Sequence, residues 1–157
     1  MSYVVTGLDP APFRHLYGLS DQDLAAHGAQ RRVVDTAPGF PDRVELRDLE
    51  PGERALLINY VHQPADTPYR AAHAIFVREG AEKAHVTVGA LPEVMRRRAL
   101  SLRAFDAAHM MVDAALADGT VADSAITALL ADPAVSYIQA HYAKMGCYAA
   151  RITRAEG

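Results

Sequence analysis

The residue types best suited to chemistry are concentrated in one stretch near the C-terminus, Tyr137 to Arg151. This stretch contains the only cysteine of the 157-residue chain, Cys147, together with His141. The thiolate is the reactive form of cysteine, and a neighbouring imidazole can activate it. Cys147 and His141 are therefore the candidate catalytic pair, with hydrolase or transferase chemistry expected. The competing interpretation is that Cys147 is a small packing residue beside a turn.

The same stretch predicts a β-hairpin that would position this pair. Its two arms, residues 135–143 and 147–153, are rich in aromatic and β-branched side chains, and a glycine lies in the loop between them. A four-residue loop would pair Tyr142 with Cys147. A three-residue loop would pair Ala143 with Cys147 and would place the glycine in the left-handed conformation.

The hydrophobic pattern favours the three-residue loop, because a one-residue slip exchanges the two faces of a strand. In this register one face collects mainly apolar side chains, Tyr142 and Tyr148 among them. The other face carries His141 diagonally across from Cys147, and it sets Arg151 opposite a glutamine. The predicted hairpin therefore brings a thiol, an imidazole and a guanidinium to one polar face.

Arginines form the second candidate constellation. Arg103 and Arg151 lie inside predicted strands, and planar guanidinium groups that converge from several elements suit a carboxylate or a phosphate. The competing interpretation pairs each arginine with a carboxylate such as Glu45, Asp106 or Asp113. The candidate ligand-binding residues are Arg43, His62, Tyr69, Arg70, Arg103 and Arg151.

Other kinds of site are not indicated. No two histidines have the i, i+4 spacing of a helical zinc site, and a single cysteine excludes an internal disulfide. Glycine-rich phosphate loops are absent. We predict no metal and no cofactor. The run Arg96-Arg97-Arg98 is interpreted as a solvated helix face.

Composition and charge narrow the class of protein. Half of the residues are hydrophobic, 22% are charged and the formal net charge is −3, which is typical of a globular protein and argues against a nucleic-acid partner. We find neither a signal-peptide pattern nor an apolar run of membrane-spanning length. The expectation is a cytoplasmic protein without a membrane partner.

Hydrophobic periodicity predicts one α+β domain over residues 1–157. Most connections are too short for a helical crossover, so a mainly antiparallel sheet of about seven or eight strands is expected, with three short helices. The predicted helices begin near Ser20, Pro92 and Asp123. The strands predicted before the hairpin cover residues 2–7, 31–36, 44–48, 55–62, 74–78 and 100–105, and residues 85–88 are a candidate edge strand. Residues 110–117 are ambiguous between strand and helix, and the strand-rich context favours a strand.

Several segments, taken together and in order, resemble a bacterial family of uncharacterised proteins, the domain of unknown function numbered 1203. They are Gly39-Phe-Pro-Asp-Arg43, Pro51-Gly-Glu53, Leu56-Leu-Ile-Asn-Tyr60 with His62, Pro68-Tyr-Arg70, Ile75-Phe-Val-Arg78, Leu100-Ser-Leu-Arg-Ala-Phe-Asp106, and His141 with Gly146-Cys-Tyr-Ala-Ala-Arg151. The resemblance implies a single compact domain and supplies neither an activity nor a catalytic residue. The family often has a cysteine where this chain has Asp42, which weakens a two-cysteine redox mechanism.

The leading hypothesis is a small cytosolic domain that binds an anionic small molecule, with thiol-dependent hydrolase or transferase activity through Cys147 and His141. It predicts a concave pocket in which Arg43, Arg70, Arg103 and Arg151 surround Cys147. The alternative is a non-enzymatic interaction protein whose polar face forms a homodimer or partner interface. It predicts a flat patch with Cys147 packed away.

Overall fold

Two antiparallel sheets carry the architecture of the computed structural model, which describes residues 2–156. Within these residues the strands are β1 (Tyr3–Thr6), β2 (Gln30–Val33), β3 (Arg54–Gln63), β4 (Ala71–Arg78), β5 (Val86–Val88), β6 (Ala99–Phe105), β7 (Met111–Asp118), β8 (Tyr137–Tyr142) and β9 (Tyr148–Arg154). The α-helices are α1 (Asp21–Ala26), α2 (Glu93–Arg96) and α3 (Asp123–Ala131), and short 3-10 helices cover Ala11–Leu16 and Gly119–Val121.

The larger sheet has the strand order β5-β1-β9-β8-β6-β7 and the smaller one the order β2-β3-β4. Every neighbouring pair of these strands is antiparallel. The predicted α+β class is therefore confirmed. The strands number nine over residues 2–156 and divide between two sheets, whereas the sequence predicted seven or eight in one.

One face of the larger sheet is covered by α3 and α2. Ile126 and Leu130 of α3 are buried against Leu102 and Ile138 of the sheet, in a core that also includes Met95 of α2. Burying one such aliphatic side chain contributes about 1.5–3 kcal/mol to the free energy of folding. This packing fixes the hairpin formed by β8 and β9 in the middle of the sheet.

The predicted strand over residues 44–48 is wrong. Leu46 has a φ of 52°, in the left-handed region that an extended strand does not use. The Asp42 backbone N–H donates to the carbonyl oxygen of Arg47, and the Asp42 carboxylate accepts from the N–H of Glu45. Hydrogen bonds from Asp42 therefore close a loop over a segment whose alternating pattern resembled a strand.

Helix starts follow the sequence signals closely. Ser20 is the N-cap of α1, as predicted, and its side-chain oxygen accepts from the N–H of Asp23 at 3.1 Å. Asp123 is the first residue of α3, whose N-cap is Ala122, so the predicted boundary is displaced by one residue. No helix within residues 2–156 is long and apolar enough to cross a membrane.

The register of the hairpin changes once along its length. Gln139 pairs with Arg151 and Ala140 with Ala150, as the three-residue loop requires. His141 then pairs with Tyr148 instead of Ala149, so Ala149 is the extra residue of a β-bulge. Beyond the bulge the pairing is that of the four-residue loop. Each of the two candidate registers therefore holds in one half of the hairpin.

Candidate functional site

A cavity of about 570 Å³ lies where the smaller sheet meets the hairpin turn. Its walls come from β4 and its neighbour β3, from the segment 39–43, from the residues between α2 and β6, and from residues 142–147 at the turn. Pockets for small molecules commonly have volumes of about 300–1,000 Å³. The cavity is therefore large enough for a small organic ligand.

Arg43 forms the inner wall and is only 2% exposed. Its Nε donates to the carbonyl oxygen of Tyr148 at 2.7 Å, its Nη1 donates to that of Pro41, and its Nη2 donates to Cys147 Sγ at 3.0 Å. Among the described residues no carboxylate forms an ion pair with it. Burial lowers the pKa of this guanidinium.

Tyr142 lies beside Arg43 and is 5% exposed. The guanidinium carbons of Arg43 and Arg98 lie 5.0 and 5.2 Å from the centre of its ring. Its buried hydroxyl has no hydrogen-bond partner among residues 2–156. Burial raises the pKa of Tyr142 to about 12, so the hydroxyl keeps its proton at neutral pH and remains a donor. A buried polar group without a protein partner is uncommon in folded proteins.

Cys147 is partly exposed and lines the same cavity. The backbone N–H of Tyr142 donates to the Cys147 carbonyl oxygen at 2.9 Å, which makes these two residues cross-strand neighbours. Their side chains therefore share one face of the hairpin. The bulge at Ala149 produces this arrangement, because it shifts Cys147 by one residue relative to β8.

The predicted placement of His141 and Cys147 on one face is therefore wrong. The fully buried ring of His141 lies on the other face, where its Nδ1 donates to the carbonyl oxygen of Gly146 at 3.1 Å. Tyr148 shares that face, and its ring lies 5.8 Å from the imidazole centre. Within residues 2–156, the polar partner of Cys147 Sγ is Arg43 and not an imidazole.

His141 belongs to a separate network that joins the two sheets. His62 Nδ1 donates to Gln139 Oε1 at 2.9 Å, and Gln139 Nε2 donates to the His62 carbonyl oxygen at 2.8 Å. The rings of His62 and His141 are 4.8 Å apart. Burial lowers the pKa of His62, and burial together with the charge of Arg103 lowers the pKa of His141 to about 3. Both imidazoles are therefore neutral at neutral pH.

The predicted convergence of four arginines around Cys147 is also wrong. Arg103 extends along its strand, where its Nε donates to Ser101 Oγ at 3.2 Å. Arg151 lies over the ring of Tyr137 at 4.1 Å, in the opposite direction along the strands. These contacts hold both guanidinium groups on the face of the sheet that carries His141.

The remaining candidate residues lie outside the cavity. Arg70 donates through Nη1 to the carbonyl oxygen of Pro64, and Tyr69 packs edge-on against Phe105 at 6.2 Å between ring centres. The alternative that each arginine pairs with a carboxylate is not observed either. Among the described residues, Arg43, Arg70, Arg103 and Arg151 form no ion pair.

The mouth of the cavity is basic. Lys144, Arg97 and Arg98 line it, and no aspartate or glutamate does. Asp48, behind the wall, is 5% exposed at its side chain and accepts from Arg98 at 2.7 and 2.9 Å. Arg98 is therefore anchored by a partly buried ion pair, whereas Arg96 and Arg97 are exposed, as expected of a solvated face. In the described part of the chain Lys144 has no such partner.

Sequence reasoning did not select five polar residues that line the cavity, namely His73, Arg97, Arg98, Tyr142 and Lys144. Tyr142 was assigned to the apolar face, and Lys144 and His73 were passed over. The signal that could have identified Tyr142 was the four-residue loop, which pairs it with Cys147. Within residues 2–156, no group of three His, Cys, Asp or Glu side chains is arranged to hold a metal ion.

Comparison with known proteins gives one match. A family model with the description "Protein of unknown function (DUF1203)" matches residues 39–154, which include every residue that lines the cavity. No curated protein and no solved structure matches the chain.

Proposed function

Because the chain belongs to the DUF1203 family, whose description names no activity, we propose a function from the site itself: the protein binds a small anionic molecule with an apolar body. The family model over residues 39–154 confirms the family resemblance drawn from the sequence. The anionic ligand stays the proposal, and its location changes from a pocket formed by Arg43, Arg70, Arg103 and Arg151 to the cavity beside Arg43, Tyr142 and Cys147.

The observation that carries the proposal is an excess of buried donors. A guanidinium has five N–H groups, and three of those of Arg43 are engaged by protein acceptors. The hydroxyl of Tyr142 adds another donor without a partner. Buried donors are normally satisfied, so a ligand that brings acceptor oxygens fits this wall. A carboxylate offers two such oxygens and the charge that complements Arg43.

The rest of the cavity suits an apolar body. Leu57, Ile75, Phe76 and Met145 are among the residues that line it. Lys144 at the mouth adds a positive charge that attracts anions from solution. A monocarboxylate with an aliphatic or aromatic body matches both parts of the cavity.

Two observations favour binding over the other hypotheses. The interaction-protein alternative expects Cys147 to be packed away from a flat patch, whereas Cys147 lines a cavity. The catalytic hypothesis expects an imidazole beside the thiol, whereas His141 lies on the other face of the hairpin. A reducing, cytoplasmic compartment, as predicted from the sequence, would keep Cys147 free to contact a ligand.

The test compares octanoate with octanamide, which has the same body and no charge. Titration calorimetry and thermal unfolding of the full chain are expected to show saturable binding and stabilisation by octanoate alone. Replacing Tyr142 by Phe removes one hydrogen bond to a charged group, about 1.5–3 kcal/mol, which corresponds to roughly a 10- to 100-fold rise in Kd. Lys144→Gln is expected to weaken binding roughly 2- to 5-fold, as for an exposed charge.

Lys83→Gln is the matched control for Lys144→Gln, because Lys83 is exposed and lies outside the cavity. It removes the same charge and is expected to leave octanoate affinity unchanged. Equal binding of octanoate and octanamide would reject the anionic ligand. If Lys144→Gln and Lys83→Gln weaken octanoate binding equally, the affinity depends only on the net charge of the protein.

A further inference from the structure

Building on the proposed ligand site, we propose that Cys147 is an acyl acceptor: its sulfur attacks an ester or thioester whose acyl chain occupies the cavity. The product is an S-acyl cysteine in the place where the free carboxylate binds. This goes beyond binding, because it assigns a covalent step and its residues. It also replaces the histidine-assisted mechanism expected from the sequence.

The geometry joins a nucleophile to donors for an oxyanion. Arg43 Nη2 lies 3.0 Å from Cys147 Sγ, so a guanidinium N–H is already next to the sulfur. Tyr142 is the cross-strand neighbour of Cys147, and its hydroxyl is buried and unpartnered within residues 2–156. Donors that are fixed before the reaction and aimed at developing charge are a major source of catalysis in acyl transfer. The donors that suit a carboxylate would equally suit the oxygen of a tetrahedral intermediate.

The step balances without any further reactant. The thiol first releases its proton to solvent, and Arg43 offsets the charge of the thiolate. The sulfur then forms a bond to the carbonyl carbon, and the oxygen becomes an oxyanion that accepts from Arg43 and Tyr142. When the intermediate collapses, the carbonyl re-forms, the bond to the alkoxide or thiolate leaving group breaks, and the acyl group stays on sulfur.

Because Arg43 is buried, this chemistry suits Cys147 better than it would suit a thiol on the protein surface. Arg43 is held by two backbone carbonyls, so its position does not have to be organised during the reaction. An acyl chain against Leu57, Phe76 and Met145 would displace water from the cavity, which would strengthen both contacts. His141 takes no part, since it donates to Gly146 on the other face.

The experiment mixes the full chain with 4-nitrophenyl octanoate. Release of 4-nitrophenolate is followed by absorbance, and intact mass spectrometry with peptide mapping locates the octanoyl group. We expect one octanoyl group per chain, on Cys147, formed faster than on glutathione under the same conditions. Cys147→Ser should abolish it. Tyr142→Phe should slow it by roughly 10²-fold, the typical effect of losing one oxyanion donor.

Lys83→Gln is the control and should acylate at the wild-type rate. The S-octanoyl protein should no longer bind octanoate, because the acyl chain already fills the cavity. If octanoate binds but Cys147 acylates no faster than glutathione, or Tyr142→Phe is as fast as wild type, this inference is overturned and the binding function stands. If octanoate does not bind at all, the binding function itself fails.

Discussion

The backbone N–H of Tyr142 donates to the carbonyl oxygen of Cys147 at 2.9 Å, so a buried phenol and the only thiol of the chain stand side by side at the hairpin turn. Arg43 connects them, with its guanidinium 5.0 Å from the Tyr142 ring centre and 3.0 Å from Cys147 Sγ. Tyr142 and Arg43 provide the hydrogen-bond donors of the cavity. Arg43 also provides the positive charge, and Cys147 provides the proposed nucleophile.

Replacing Tyr142 by Phe is expected to leave the free energy of unfolding unchanged or to raise it by up to about 1 kcal/mol, because the lost hydroxyl is buried without a partner. Tyr137→Phe is the matched comparison. The Tyr137 hydroxyl accepts from Gln63 at 2.8 Å and bonds to His109 at 2.7 Å, so its loss should cost about 1–2 kcal/mol. Urea unfolding measures both. A larger loss in Tyr142→Phe than in Tyr137→Phe would contradict the unpartnered hydroxyl.

The neutral, buried state of His141 makes stability depend on pH. Its folded pKa of about 3 lies below the ordinary value of 6.5, so below pH 6.5 the unfolded chain takes up a proton that the folded chain does not. Stability should therefore fall as the pH falls from 6.5 towards 3. Between pH 6.5 and 5 this one group accounts for a loss of about 1.5 kcal/mol.

His141→Asn removes this titration and should reduce the pH dependence by that amount, even though the variant is less stable overall. Urea unfolding at pH 6.5 and pH 5 gives the two values for each protein. The exposed His27, replaced by Asn, is the control for the loss of an imidazole at the surface. An unchanged dependence in His141→Asn would mean that the pKa of this imidazole is the same in the folded and the unfolded chain.

Alkylation of Cys147 by iodoacetamide should proceed without denaturant, because the residue is partly exposed and lines the cavity. His141→Asn should change the rate by less than about twofold between pH 5 and 9, since no contact joins the imidazole to the thiol. Octanoate should protect the thiol by filling the cavity. A tenfold slower reaction in His141→Asn would support activation of Cys147 by His141 and would argue against the observed register.

Gly146 controls the position of the thiol through its backbone. Its φ of 81° lies in the left-handed region, where a side chain costs about 1–2 kcal/mol. Gly146→Ala should lower the free energy of unfolding by about this amount, and Gly146→Asn by less, because Asn tolerates this conformation better. Urea unfolding of the two variants checks the order. If Ala is tolerated as well as Asn, the turn does not require the left-handed conformation.

Much of the fold could be predicted because local patterns and tertiary packing agree. The strand predicted over residues 55–62 is observed as β3 (Arg54–Gln63), which lies between β2 and β4 in the smaller sheet. The ambiguous segment Met111–Asp118 is a strand, β7, as its strand-rich context indicated. The strand predicted over residues 44–48 was wrong because alternation of apolar and polar residues does not reveal a left-handed backbone conformation such as that of Leu46.

The sequence by itself determined the candidate residues: Cys147 in a predicted hairpin, His141 as the expected partner of its thiol, and Arg43 as a candidate ligand-binding residue. Only the tertiary structure decided which of them meet. Arg43 and Cys147 are 104 positions apart in the chain, and no local pattern reports a contact over that separation. A single bulge residue, Ala149, then turns Cys147 towards Tyr142 and away from His141. Strand side chains alternate with a period of two, so one inserted residue exchanges the faces, and that shift depends on packing between distant elements.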